Sequence, residues 1–187
     1  MLKTLKSYLL LVAAVLPLAS SQAAEPLKSS IQPGEKIATI FEPLNITGAH
    51  AGEPHCLVCE NGRSPVAMIF AQDLDDRLLR LLVKIDTATE RHQKEGMGSF
   101  VVFLSEDAEL PKRLEDAAKK HNFKHLVLST FDPVGPEGFD VAKEAAVTVV
   151  LYSEHVVRAN HAYRQGELTE KEIEKVLGNI PKILDTK

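Results

Sequence analysis

The residues best suited to chemistry in this 187-residue chain are His55-Cys56-Leu57-Val58-Cys59. Two cysteines separated by two residues can close a small disulfide ring, and this spacing beside an alternating β/α pattern is that of a dithiol redox pair. In that role Cys56 is the expected attacking thiol, because a protonated His55 beside it stabilises a thiolate, and Cys59 resolves the mixed disulfide. Such a pair needs no cofactor and takes its electrons from a protein redox partner. The same stretch fits a second chemistry: His50, His55, Cys56 and Cys59 supply the soft and borderline ligands that zinc or copper take. In a third reading the pair is a structural disulfide that closes a loop in an oxidising compartment, on a scaffold without catalysis. Attachment of a c-type haem is excluded, because Glu60 stands where a histidine is required.

The elements that must position this motif follow it. Pro65 to Ala71 is a short apolar run that reads as a buried strand. Leu74, Leu78, Leu81, Leu82, Ile85 and Ala88 then recur at helical spacing, which predicts a helix over 73–94. Asp73, Asp75 and Asp76 suit its start, Arg91, His92 and Lys94 its end, and Gly96 its stop. Phe100 to Leu104 is a second buried strand, and Leu110, Leu114, Ala117 and Ala118 mark a second helix with Pro111 in its first turn. His125 to Ser129 is a third strand. The loop from Phe131 to Phe139, rich in proline and glycine, reads as a rigid connector, with a cleft lining as the alternative. Asp140 to Ala145 is at most a short helix. Val147 to Tyr152 and Val156 to Ala162 form a hairpin across Ser153-Glu154-His155. The last helix opens on Thr169-Glu170-Lys171-Glu172, a capping box, and buries Ile173, Val176, Leu177 and Ile180. Before the motif, Ile37 to Phe41 and Leu44 to Thr47 are β-like, which predicts an extended hairpin whose following loop carries the CxxC.

Alternating β and α followed by a β-hairpin and a closing helix predicts an α/β three-layer sandwich with a mixed central sheet. This order, together with the CxxC, resembles the thioredoxin-like superfamily over about residues 33–184 and is most similar to its peroxiredoxin and exported thiol-reductase branch. The resemblance implies a thioredoxin-like fold with an N-terminal β-hairpin extension and thiol–disulfide activity. Family members carry the redox cysteines after the central strand, at the start of the next helix; here Ala71-Gln72-Asp73-Leu74 holds no cysteine, which argues against a peroxidase. Val147 stands where the family has a cis-proline. The motif lies upstream of the strand instead, which places it toward the opposite pole of the sheet. In that arrangement every histidine except His161 falls at the pole of the CxxC.

The chain opens on Lys3 and Lys6, an apolar run from Tyr8 to Leu18 and the small residues Ser21 to Ala24, the pattern of a signal peptide over 1–24. A polar lead-in over 25–32 and one domain over 33–187 follow. The expected product is exported, periplasmic or secreted, and free of the membrane after cleavage. The full chain has a formal net charge of −4, and loss of Lys3 and Lys6 with the leader makes the product more acidic by two charges; with basic residues scattered, this offers no footprint for nucleic acid. Asn45-Ile46-Thr47 has the spacing of a glycosylation sequon.

Overall fold

Six apolar residues with no polar interruption can be buried on both faces only if both faces of their sheet are covered. The computed structural model, which describes residues 26–184, meets that demand at Val66–Ala71. This strand is preceded by β1 (Leu44–Asn45) and the helix α1 (Leu57–Asn61), and is therefore β2; each of its residues is buried. The remaining elements are α2 (Asp76–Arg91), β3 (Gly98–Leu104), α3 (Leu110–His121), β4 (Leu126–Phe131), β5 (Val147–Ser153), β6 (Val156–Tyr163), α4 (Glu170–Leu177) and α5 (Pro181–Leu184). The leader predicted over 1–24 lies outside the described residues. Among those described, no helix is long and apolar enough to cross a membrane.

The sheet has the order β1-β4-β3-β2-β5-β6. β2, β3 and β4 are parallel, and β5, β6 and β1 run antiparallel to their neighbours. The chain advances from β2 to β3 to β4 in one direction, so two right-handed crossovers put α2 and α3 on the same face. Alternation along β2 divides the core accordingly. Ala67, Ile69 and Ala71 meet Leu78, Leu81, Leu82 and Ile85 of α2, Leu114 of α3 and Ile173 and Val176 of α4. Val66, Met68 and Phe70 face the other way, toward Ile37, Phe41, Leu57, Val58 and Phe139. The architecture is the α/β layering with a mixed sheet that the sequence predicts, but the second outer layer contains one short helix and otherwise irregular chain.

The boundaries differ in instructive places. α2 begins at Asp76, not 73, because the Asp75 carboxylate caps it, accepting from the N–H groups of Arg77 and Leu78 at 3.0 and 2.7 Å. It ends at Arg91, and a 3-10 turn over Gln93–Glu95 carries the chain to Gly96. Residues 140–145 form turns, not a helix. The N-terminal hairpin exists, but its arms are Leu44–Asn45 and Glu53-Pro54: Leu44 bridges Pro54, and Asn45 exchanges backbone hydrogen bonds with Gly52 and Glu53. Ile37 to Phe41 is irregular chain. Asn45 of the sequon is buried in β1. The loop after β4 serves as core: Phe131 and Phe139 both meet the ring of Phe41 edge-on, at 5.4 and 5.0 Å between centroids.

Candidate functional site

Cys56 and Cys59 are joined in a disulfide, with their Cα atoms 5.2 Å apart. The sequence expectation of a loop around the motif is corrected by α1. Cys56 is its N-cap, with extended backbone, and Cys59 lies inside its first turn. The Cys59 N–H donates to Cys56 Sγ at 3.1 Å. A cysteine sulfur thus takes the capping position that a serine or aspartate oxygen usually fills, satisfying one of the unpaired N–H groups of the helix start. Gly62 closes the helix with a positive φ of 53°, and its N–H bonds back to Val58 and Cys59.

Burial separates the two sulfur residues. Cys56 is 7 % exposed and packs with Leu57 and Val58 in the second core, whereas Cys59 is exposed. The sequence reading makes Cys56 the attacking thiol; in the structure Cys59 is the more exposed residue of the pair. The His55 imidazole, beside Cys56 in sequence, has its Nε2 3.2 Å from Glu60 Oε2.

α1 packs on the sheet face near the end where β2 and β3 begin. Asn61 sits over Gly98, the first residue of β3 and the partner of Val66. The opposite end of β2 is the place that thioredoxin-like proteins give to their cysteines. There, Gln72 donates its N–H to Ala146 O and its side-chain amide to Lys143 O, Asp73 meets Arg113, and Asp75 caps α2. The two ends are roughly 17 Å apart along a six-residue strand. Val147 opens β5 at the position the resemblance gives to the cis-proline.

Of the histidines expected near the motif, the structure brings two together. His50, at the tip of the small hairpin, stacks on His55 with ring centroids 3.6 Å apart and planes 14° from parallel. Elsewhere His92 faces Glu95, His121 stacks on Phe123, and His125 meets Gln93. Glu60 completes a group with His50 and His55 and was not among the sequence candidates. It falls beside His55 only because the chain makes a helical turn between them, and a five-residue helix leaves no apolar periodicity from which to infer that turn.

No protein-family profile matches the sequence, and no curated protein matches it. Likeness appears at the level of solved structures. One is a chain assigned as the thiol:disulfide interchange protein DsbE from Chlorobium tepidum, 16 % identical, with a TM-score of 0.56 over 81 % of this chain and 99 % of that one. A second is the peroxidoxin BcpB from Mycobacterium tuberculosis, 12 % identical, with a TM-score of 0.58 over 82 % and 98 %. A third is a thiol-disulfide oxidoreductase from Bacteroides fragilis, 18 % identical, with a TM-score of 0.51 over 76 % and 99 %. Identities this low speak for architecture alone. Taken with the mixed sheet, its crossovers and the closing hairpin and helix, they establish that the chain adopts the thioredoxin-like fold.

Proposed function

We propose that this protein is an exported thiol–disulfide redox protein in which Cys56 and Cys59 alternate between disulfide and dithiol. The observation that carries the reading is the asymmetry of the pair: one half is exposed, and the other is buried with its sulfur accepting a backbone N–H. The likeness in fold to thiol-disulfide oxidoreductases supports it.

On this reading the asymmetry gives exchange a direction. A thiolate of the partner attacks Cys59 Sγ, the Cys56–Cys59 bond breaks, and Cys56 leaves as a thiolate. The N–H of Cys59 is already aimed at that sulfur, and a stabilised leaving thiolate departs faster. A second thiolate of the partner then attacks its own sulfur in the mixed disulfide and releases Cys59. The partner loses two electrons and becomes a disulfide, the protein gains two, and the two protons released by the partner's thiols pass through solvent to Cys56 and Cys59, which end as thiols. In reverse, Cys59 attacks a partner disulfide and Cys56 resolves it.

The test is equilibration of the purified protein over a series of glutathione redox ratios, with thiols counted at each. Reversible switching within the glutathione range upholds the reading; a pair oxidised throughout is structural and ends it. The direction is tested separately by the single variants. Cys56→Ser, which leaves Cys59, should form a mixed disulfide with oxidised glutathione, releasing one glutathione thiol, at least tenfold faster than Cys59→Ser, which leaves the buried thiol. Equal rates, or the opposite order, would remove the assignment of roles.

A further inference from the structure

The second group of chemically capable side chains lies one residue outside each cysteine. His55 precedes Cys56 and Glu60 follows Cys59. The hairpin of β1 brings His50 back over His55. One ligand atom from each of His50, His55 and Glu60 lies within 4.8 Å of the others. Ligands of a tetrahedral zinc, at bond lengths near 2.0–2.1 Å, stand about 3.3 Å from one another. The His55–Glu60 pair, at 3.2 Å, already has that separation; His50 stacks face to face on His55, so its ring must turn at the hairpin tip to bring its ligand atom, within 4.8 Å of the other two, onto the same ion.

His55 Nε2 is buried yet has no hydrogen-bond partner, even with the carboxylate oxygen at contact distance, because the geometry between them is not that of a hydrogen bond. A buried imidazole nitrogen in that condition calls for a partner, and a metal ion placed between nitrogen and carboxylate would serve both. The covalent frame is rigid where it matters. The disulfide ties residue 56 to residue 59, the chain neighbours of His55 and Glu60, while the β1 pairing with β4 anchors the hairpin that carries His50.

We infer that His50, His55 and Glu60 form a binding site for one divalent d-block cation, zinc(II) or copper(II), with coordination positions left open toward solvent. Two imidazoles select this class over calcium and magnesium, which take oxygen ligands. The site uses neither sulfur, so it is complete while the disulfide is intact and stands independently of the thiol chemistry proposed above.

The test is titration of the oxidised, chelator-stripped protein with zinc chloride against a chromophoric chelator. The expected result is one zinc per chain, bound at least tenfold more weakly by His50→Ala and by Glu60→Gln. Both positions are at least partly exposed, and unchanged far-ultraviolet melting confirms that the variants are folded. Glu60→Gln keeps the shape of the side chain and serves alone if His50→Ala disturbs the hairpin. Absence of zinc binding by the oxidised protein overturns the inference. Binding that Glu60→Gln leaves unchanged overturns it as well, and zinc taken up only after reduction assigns the metal to the cysteines instead.

Discussion

Asn61, the last residue of α1, lies directly over Gly98, the first residue of β3: a Cβ added to Gly98 would sit 1.8 Å from Asn61 Oδ1. The Asn61 amide is not free to swing away without loss, since its Nδ2 donates to Leu57 O at 2.8 Å. The absence of a side chain at position 98 is what lets the helix bearing the disulfide approach the sheet.

Gly98→Ala should therefore lift the end of α1 and destabilise the protein by about 1–3 kcal/mol, the usual cost of overpacking. Urea unfolding measures it, and Asn61→Ala in the same chain should recover part of the loss, which a double-mutant cycle would register as coupling. An unchanged midpoint for Gly98→Ala would mean that Asn61 moves aside at no cost and that α1 is not clamped there.

Tyr152 is wholly buried in the same core as α1, and its hydroxyl has no hydrogen-bond partner. Burial alone drives its phenol pKa upward, so the group stays neutral. An unsatisfied buried hydroxyl costs stability. Tyr152→Phe should then leave the unfolding midpoint unchanged or raise it, by up to about 1–2 kcal/mol. A loss of stability would reveal a partner for the hydroxyl.

Much of the sheet is written locally. The apolar run of β2, the spacing of Leu78, Leu81, Leu82 and Ile85, and the Thr169 cap that accepts from Glu172 N–H all appear in the structure where the sequence places them. The layer that holds the candidate site is written differently. Ser29 bonds to Thr148, Asn160 reaches back to the carbonyls of Ser29 and Ile31, and Ile37 N–H donates to His155 O. These partners are more than a hundred positions apart, so the order of residues 29–37 comes from tertiary pairing, which no local period encodes. The Cys56–Cys59 pair was legible from its spacing, while its five-residue helix, too short to carry a period, the order of exposure and the placement of Glu60 were not.

The turn between β5 and β6 holds two non-glycine residues in the left-handed region, Glu154 at φ 53° and His155 at φ 57°. Two-residue hairpins favour this geometry but prefer asparagine or glycine in it. His155→Gly relieves the strain while keeping the carbonyl that accepts from Ile37, and Glu154 keeps its ion pair with Arg63. The variant should gain about 0.5–1 kcal/mol, read as a higher midpoint in urea. A loss would show that the imidazole contributes more than its backbone costs.

His161 gives the stability a pH dependence of defined sign. Burial lowers its pKa from 6.5, Lys175 and Lys182 lower it further, and Glu172 opposes them. Asn179 Nδ2 lies 3.2 Å from His161 Nε2, so a neutral ring with its proton on Nδ1 accepts that amide N–H, and protonation ends the bond. The folded state thus binds this proton less readily than the unfolded chain. Stability is fully present above about pH 6.5 and declines as the pH falls from there toward the folded-state pKa, with a slope of at most about 1.4 kcal/mol per pH unit for one proton. Glu170 and Asp107, whose pKa values are also lowered, lose their contribution only on acidification below 4.5 and 3.8. Urea unfolding at pH 7.5 and 5.5 therefore lies above the range in which those two carboxylates titrate, and the comparison with a His161 variant assigns the difference. His161→Gln should flatten the difference between the two, and an equal loss in variant and wild type would place the titrating group elsewhere.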